Sequence, residues 1–177
     1  AIGMCAIRNN TTGNRNTAVG HCASQSNTTG GCNAAFGTCS LPANTTGSCN
    51  TSIGAYSLNT NTTGFHNTAT GFLAMHGNTT GAYNTASGLE SLKTNTTGST
   101  NNAFGYKAMH VSTTGSGNTA VGHTPLYANT TGGNNTAVGI QALMANTTAS
   151  YNVALGRNAG CSNTTGACNV YLGYGAN

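Results

Sequence analysis

Apolar and polar positions alternate along this chain in a pattern that returns every 17 residues, marked by Asn at Asn16, Asn33, Asn50, Asn67, Asn84, Asn101, Asn118, Asn135, Asn152 and Asn169. Numbering that Asn as column 1 gives a unit N-T-A-V-G-x-x-A-L-x-x-N-T-T-G-x-x. Larger apolar residues gather in column 4 (Ile2, Val19, Phe36 and on to Leu172) and in column 9 (Ile7, Leu41, Leu58, Met75 and on to Leu143). Columns 3 and 8 are small, chiefly Ala. These four columns are the expected interior. Columns 6, 7, 10, 16 and 17 vary freely and are expected at the surface.

A fixed short period marks a repeat architecture. Two Gly, several Thr and two Asn in each unit work against helix. Short segments such as T-A-V and N-T-T, set between Gly columns 5 and 15, suit parallel strands stacked rung on rung. The predicted fold is therefore all-β, a parallel β-solenoid (β-roll or β-helix) of about ten 17-residue coils. It forms one domain, residues 1–177: a partial coil 1–15, full coils 16–168 and a partial coil 169–177. The corners are expected at glycines able to take φ > 0, in column 5 Gly20, Gly37, Gly54, Gly71, Gly88, Gly105, Gly122, Gly139 and Gly156. Further coils are expected to continue the stack at both ends, as in a segment of a longer fibre, because one coil cannot bury its own apolar face.

Composition then narrows the function. Only 3% of residues are charged, with no Asp and a single Glu, Glu90. Stacking explains this, because a charge fixed in the unit would face its own copy on the next rung. Neutral Asn avoids that penalty, and column 1 is expected to form a ladder of side-chain amides. A net charge of +4 with no Lys/Arg cluster gives no case for nucleic acid, and no apolar run is long enough for a membrane span. One carboxylate excludes paired-carboxylate catalysis, a Ser/His/Asp triad and calcium-roll motifs. His21, His66, His76, His110 and His123 never fall on adjacent rungs of one column, so no metal or cofactor is expected. Glu90 and Lys107 share column 7 on adjacent rungs and should pair.

Seven cysteines and Asn-x-Thr sequons favour an oxidising, extracellular setting. Cys22/Cys32 and Cys39/Cys49 repeat a spacing of ten, which suggests a staple within a coil used twice, with Cys161/Cys168 as a third. The alternative is direct stacking, Cys5 on Cys22 or Cys32 on Cys49, and sequence leaves the connectivity open. Column 12 supplies the sequons, at Asn10, Asn27, Asn44, Asn61, Asn78, Asn95, Asn129, Asn146 and Asn163, broken only by Ser112. They are candidates for glycosylation, which would solubilise an uncharged rod. The competing reading is a second Asn ladder.

Ala1-Ile2-Gly3-Met4-Cys5-Ala6-Ile7, Ala18-Val19-Gly20 and Ala120-Val121-Gly122 resemble the A-[IV]-G-x-x-A-x motif of trimeric autotransporter adhesin heads, and similar units occur in surface and phage fibre proteins. The resemblance implies a β-roll on a surface fibre that binds host or matrix, assembled as a trimer. Ice binding is the sharper alternative, but it wants outward Thr at i and i+2. The invariant threonines, in columns 13 and 14, are adjacent, while Thr60/Thr62 and Thr94/Thr96 offer the wanted spacing. The reading is a non-catalytic structural component of an extracellular fibre or surface adhesin, self-associating end to end or as a homo-oligomer, with glycans or a host surface as further candidate partners. The rival is a carbohydrate- or ice-binding solenoid.

Overall fold

The computed structural model describes all 177 residues, Ala1–Asn177, and is a β-solenoid of about nine turns. Ten three-residue strands stack in one parallel sheet in chain order: β1 Thr17–Val19, β2 Ala34–Phe36, β3 Thr51–Ile53, β4 Thr68–Thr70, β5 Thr85–Ser87, β6 Asn102–Phe104, β7 Thr119–Val121, β8 Thr136–Val138, β9 Val153–Leu155 and β10 Val170–Leu172. Register is strict, each residue pairing with the one 17 further on, as Ala86 does with Ala103. Ile2 continues the sheet by a bridge to Val19. Of 118 backbone hydrogen bonds only 18 lie within the strands, so the coils are also bonded along their irregular sides. The Ile7 amide, for example, donates to the Ala23 carbonyl at 2.9 Å and that of Thr45 to Thr62 at 2.9 Å.

The interior holds columns 3, 8 and 9. Leu41, Leu58, Met75, Leu92, Met109, Leu126 and Leu143 are fully buried against the alanines of the other two columns. Column 4 is not interior, contrary to expectation: Phe36, Ile53, Phe104, Val121, Val138 and Leu155 are each about 40% exposed, 38–42%. The cause is the strand itself, whose successive side chains point to opposite faces. With column 3 inside, column 4 must point out, and the core has one large apolar residue per coil.

The space that column 4 does not fill is taken by asparagine. The column 1 ladder forms as expected: the backbone N–H of Asn84 donates to Asn67 Oδ1 at 3.0 Å, while Asn84 Nδ2 donates to the Gly98 carbonyl at 2.9 Å. Burying an amide is costly unless its hydrogen bonds are made, and here they are.

Backbone strain falls elsewhere than the two Gly columns suggest. Column 5 does turn at positive φ, between 123° and 136° from Gly3 to Gly156. Column 15 does not. It is small because a Cβ there would meet interior amides: on Gly30 it would lie 2.7 Å from Asn27 Oδ1 and overlap the Gly47 carbonyl oxygen. Ala149 occupies the same column, so this crowding yields where the φ requirement of column 5 would not. The remaining corners use ordinary residues. All 28 non-glycine residues with positive φ lie in columns 7, 9 and 17, including the buried Leu58 (φ 45°) and Leu92 (φ 50°). Such conformations cost about 1–2 kcal/mol per residue, and packing on the neighbouring rungs holds them.

Candidate functional site

The rod has no pocket. Its chemistry lies along columns that run its length. Columns 2 and 4 form the outer face of the sheet, where alternate strand residues project together. Column 4 supplies the half-exposed Phe36, Ile53, Phe104, Val121, Val138 and Leu155. Column 2 supplies Thr17, Thr51, Thr68, Thr85, Thr119 and Thr136, and neither column contains a charge. Beyond the Gly corner, column 6 adds Phe72, Leu89, Tyr106 and Ile140, all 40–46% exposed. The strip is apolar in most rungs and is interrupted by Thr70 in β4 and Ser87 in β5; exposed apolar surface of that kind marks an interaction site.

The outward Thr pair expected of an ice-binding face sits in β4, as Thr68 and Thr70, with Thr85 and Ser87 beside it in β5. The sequence reading found the wanted spacing only at Thr60/Thr62 and Thr94/Thr96 and passed over this pair. Thr60, Thr62 and Thr94, by contrast, spend their hydroxyls on the next rung: Thr60 donates to the His76 carbonyl at 2.9 Å, Thr62 to Thr79 at 3.2 Å, and Thr94 to His110 at 2.9 Å.

Seven of the nine sequon asparagines are not surface groups. Asn27, Asn44, Asn61, Asn78, Asn95, Asn129 and Asn146 are fully buried. In a typical rung Asn61 Nδ2 donates to Asn44 Oδ1 at 2.9 Å and to the Gly64 carbonyl at 3.0 Å, so both its N–H bonds are used inside. A sugar on that nitrogen would break both bonds and has no room, so the glycosylation expected there is replaced by a second ladder. Asn10 and Asn163 are half-buried on the outer rungs and make the same contact to Gly13 and Gly166.

The expected staples are also absent: all seven cysteines are free thiols, so Cys22–Cys32, Cys39–Cys49 and Cys161–Cys168 are not joined. Burial pushes the Cys22 thiol up, and the thiols of Cys5 and Cys39 on the neighbouring rungs add to the rise.

Glu90 gathers both lysines of the chain and one histidine. Its carboxylate meets Lys93 Nζ at 3.0 Å, His110 Nε2 at 3.1 Å and Lys107 Nζ at 3.5 Å. Lys107 was legible from column 7, whereas Lys93 and His110 come from column 10, which the corner folds against column 7. The His110 ring stacks on Tyr127 at 5.2 Å, and Lys107 lies over the Tyr106 ring at 5.2 Å. The hydrogen bond from Lys93 is the main cause holding the Glu90 carboxyl below the usual range. Burial lowers His76, with Lys93 adding to it, and burial also lowers His110, against the pull of Glu90. As a solvated ion cluster each pair contributes only about 0–1 kcal/mol.

These shifts fix the sign of a pH effect. Both imidazoles regain their ordinary value of 6.5 on unfolding. Below that pH the unfolded chain holds more protons than the folded one, so stability falls as pH drops from 6.5. Glu90 adds stability above its ordinary carboxylate value and loses it at lower pH. The melting midpoint is expected to be lower near pH ~5 than near pH ~7.5, with the gap narrowing in a His76→Asn/His110→Asn chain. Equal midpoints at the two pH values would contradict it.

No family model, curated protein or solved structure matches the chain. No helix is long and apolar enough to cross a membrane.

Proposed function

We propose that this chain is a non-catalytic structural component of an extracellular fibre or surface adhesin, a rod that associates side by side with further copies of itself. The observation that carries the reading is the uncharged outer face of the sheet, on which Phe36 and Ile53 on one side of Thr70 and Ser87, and Phe104, Val121, Val138 and Leu155 on the other, are half-exposed. Burying it is favourable in proportion to its area. A second copy is the partner that fits. Its rows repeat at the same spacing, so contacts made on one rung recur on every rung, and no charge opposes them. Ten rungs at about 4.8 Å by a face about 12 Å wide offer roughly 600 Å² per copy, near the lower bound for a specific interface.

A carbohydrate- or ice-binding solenoid is the second reading, favoured by the outward Thr68/Thr70 and Thr85/Ser87 beside the column 2 threonines. Sedimentation of the whole chain over a range of concentrations separates the two. The fibre reading expects laterally associated rods, and expects Val121→Lys/Val138→Lys to give single rods with an unchanged circular dichroism spectrum. Single rods in the parent chain, together with ice shaping or retention on an insoluble polysaccharide, would replace it with the second reading.

A further inference from the structure

Cysteine stacks on cysteine in two columns at the Ala1 end. Column 7 carries Cys5, Cys22 and Cys39 on consecutive rungs, and column 17 carries Cys32 and Cys49. The backbone holds these rungs in register: the Cys22 amide donates to the Met4 carbonyl, Cys39 to His21 and Cys49 to Gly31, each at 2.9 Å. The residues of each column share one left-handed conformation, with φ of 59°, 55° and 49° in column 7 and 59° for both in column 17. Identical backbones send their side chains out in parallel. Rungs ~4.8 Å apart put neighbouring Cα atoms inside the ~4.4–6.8 Å range of a disulfide, and a small tilt brings the Cβ atoms to the ~4.5 Å limit. His21 Nε2 lies 3.6 Å from Cys22 Sγ, placed to take its proton.

We propose that these columns close two axial disulfides under oxidising conditions, Cys5–Cys22 and Cys32–Cys49, fastening three successive coils along the rod. With a small-molecule disulfide as oxidant, the Cys22 thiolate attacks one of its sulfurs and expels the first thiolate, His21 holding the Cys22 proton. The Cys5 thiolate then attacks Cys22 Sγ and expels the second. Two protein thiols are oxidised, one disulfide is reduced to two thiols, and the protons released end on those thiols. Cys22 lies one rung from both Cys5 and Cys39 and can join only one of them; once it is joined to Cys5, Cys39 stays free, because Cys5 and Cys39 are two rungs apart at about 9.6 Å, beyond disulfide reach. Cys161 and Cys168 occupy different columns and also stay free. The extracellular setting proposed above would supply such an oxidant in life, while the test supplies its own.

The test incubates the whole folded chain with glutathione disulfide and glutathione, alkylates the remaining thiols after denaturation, and maps the linked peptides. Alkylatable cysteines are expected to fall from seven to three, with linked peptides joining Cys5 to Cys22 and Cys32 to Cys49. Cys22→Ser should abolish the column 7 link while leaving Cys32–Cys49 intact, which also shows that the variant folds. The proposal is overturned by a chain that keeps all seven thiols, by the axial pair Cys22–Cys39 in place of Cys5–Cys22, by the within-coil pairs Cys22–Cys32 and Cys39–Cys49, or by links between copies.

Discussion

Gly88→Val is expected to split the stack, lowering stability by about 4 kcal/mol or more. Gly88 sits at φ +135°, which a β-branched residue cannot readily hold. Space is closed as well: a Cβ would lie 2.7 Å from the Gly105 carbonyl carbon and overlap its oxygen. The obstacle is backbone of the next rung, so no side chain can swing aside to relieve it. Because each coil touches only its neighbours, the damage should localise. Amide exchange should accelerate in β5 and β6 before it does in β1 or β9. Leu89→Ser, one residue on, is the control. Leu89 is 43% exposed in column 6, and its loss should cost under ~1 kcal/mol. Equal falls in melting midpoint for the two variants would refute this account of the corner.

The contrast between those neighbours was legible in the 17-residue period, because a residue invariant in every copy and one that varies freely meet different demands. The period also carried the register, the parallel sheet and the Asn ladder of column 1, since stacking identical units forces like onto like. Legibility failed where the course of the chain within one coil matters. Column 4 is apolar in most copies, and hydrophobicity alone placed it inside with Ala18 and Ala35. The two-residue alternation of T-A-V decides otherwise: Ala18 points in, so Val19 points out. The sequons failed for a related reason. Asn-Thr-Thr carries both a glycosylation signal and a turn in which Asn faces the core, and the choice depends on Asn61 donating to Gly64 three residues later. The left-handed corners at columns 7, 9 and 17 gave only a faint signal, in Gly117, Asn134, Asn158 and Gly160 among larger residues. The contacts of Glu90 with Lys93 and His110 depend on the same corners and could not be counted off a column.

Ser112→Asn is expected to stabilise the rod by about 2–3 kcal/mol, since buried polar atoms left unpaired cost ~1–3 kcal/mol each and a typical bond returns ~1. Ser112 is the one break in the column 12 ladder. In intact rungs each Nδ2 reaches the Oδ1 of the preceding rung, as Asn78 does to Asn61 at 2.7 Å and Asn95 to Asn78 at 2.7 Å. At the break, Asn95 Oδ1 and Ser112 Oγ are buried without partners, and Asn129 Nδ2 keeps only its bond to the Gly132 carbonyl at 3.0 Å. An amide at residue 112 would donate to Asn95 and to the Gly115 carbonyl and would accept from Asn129. The same column holds Asn in the same backbone setting above and below, so the larger side chain has a defined place. Asn78→Ser, which introduces the break into an intact stretch, should lose a comparable amount. Thermal melting of the parent and both variants reads the two effects with opposite signs. A neutral or destabilising Ser112→Asn would mean that the ladder adds nothing net across the break.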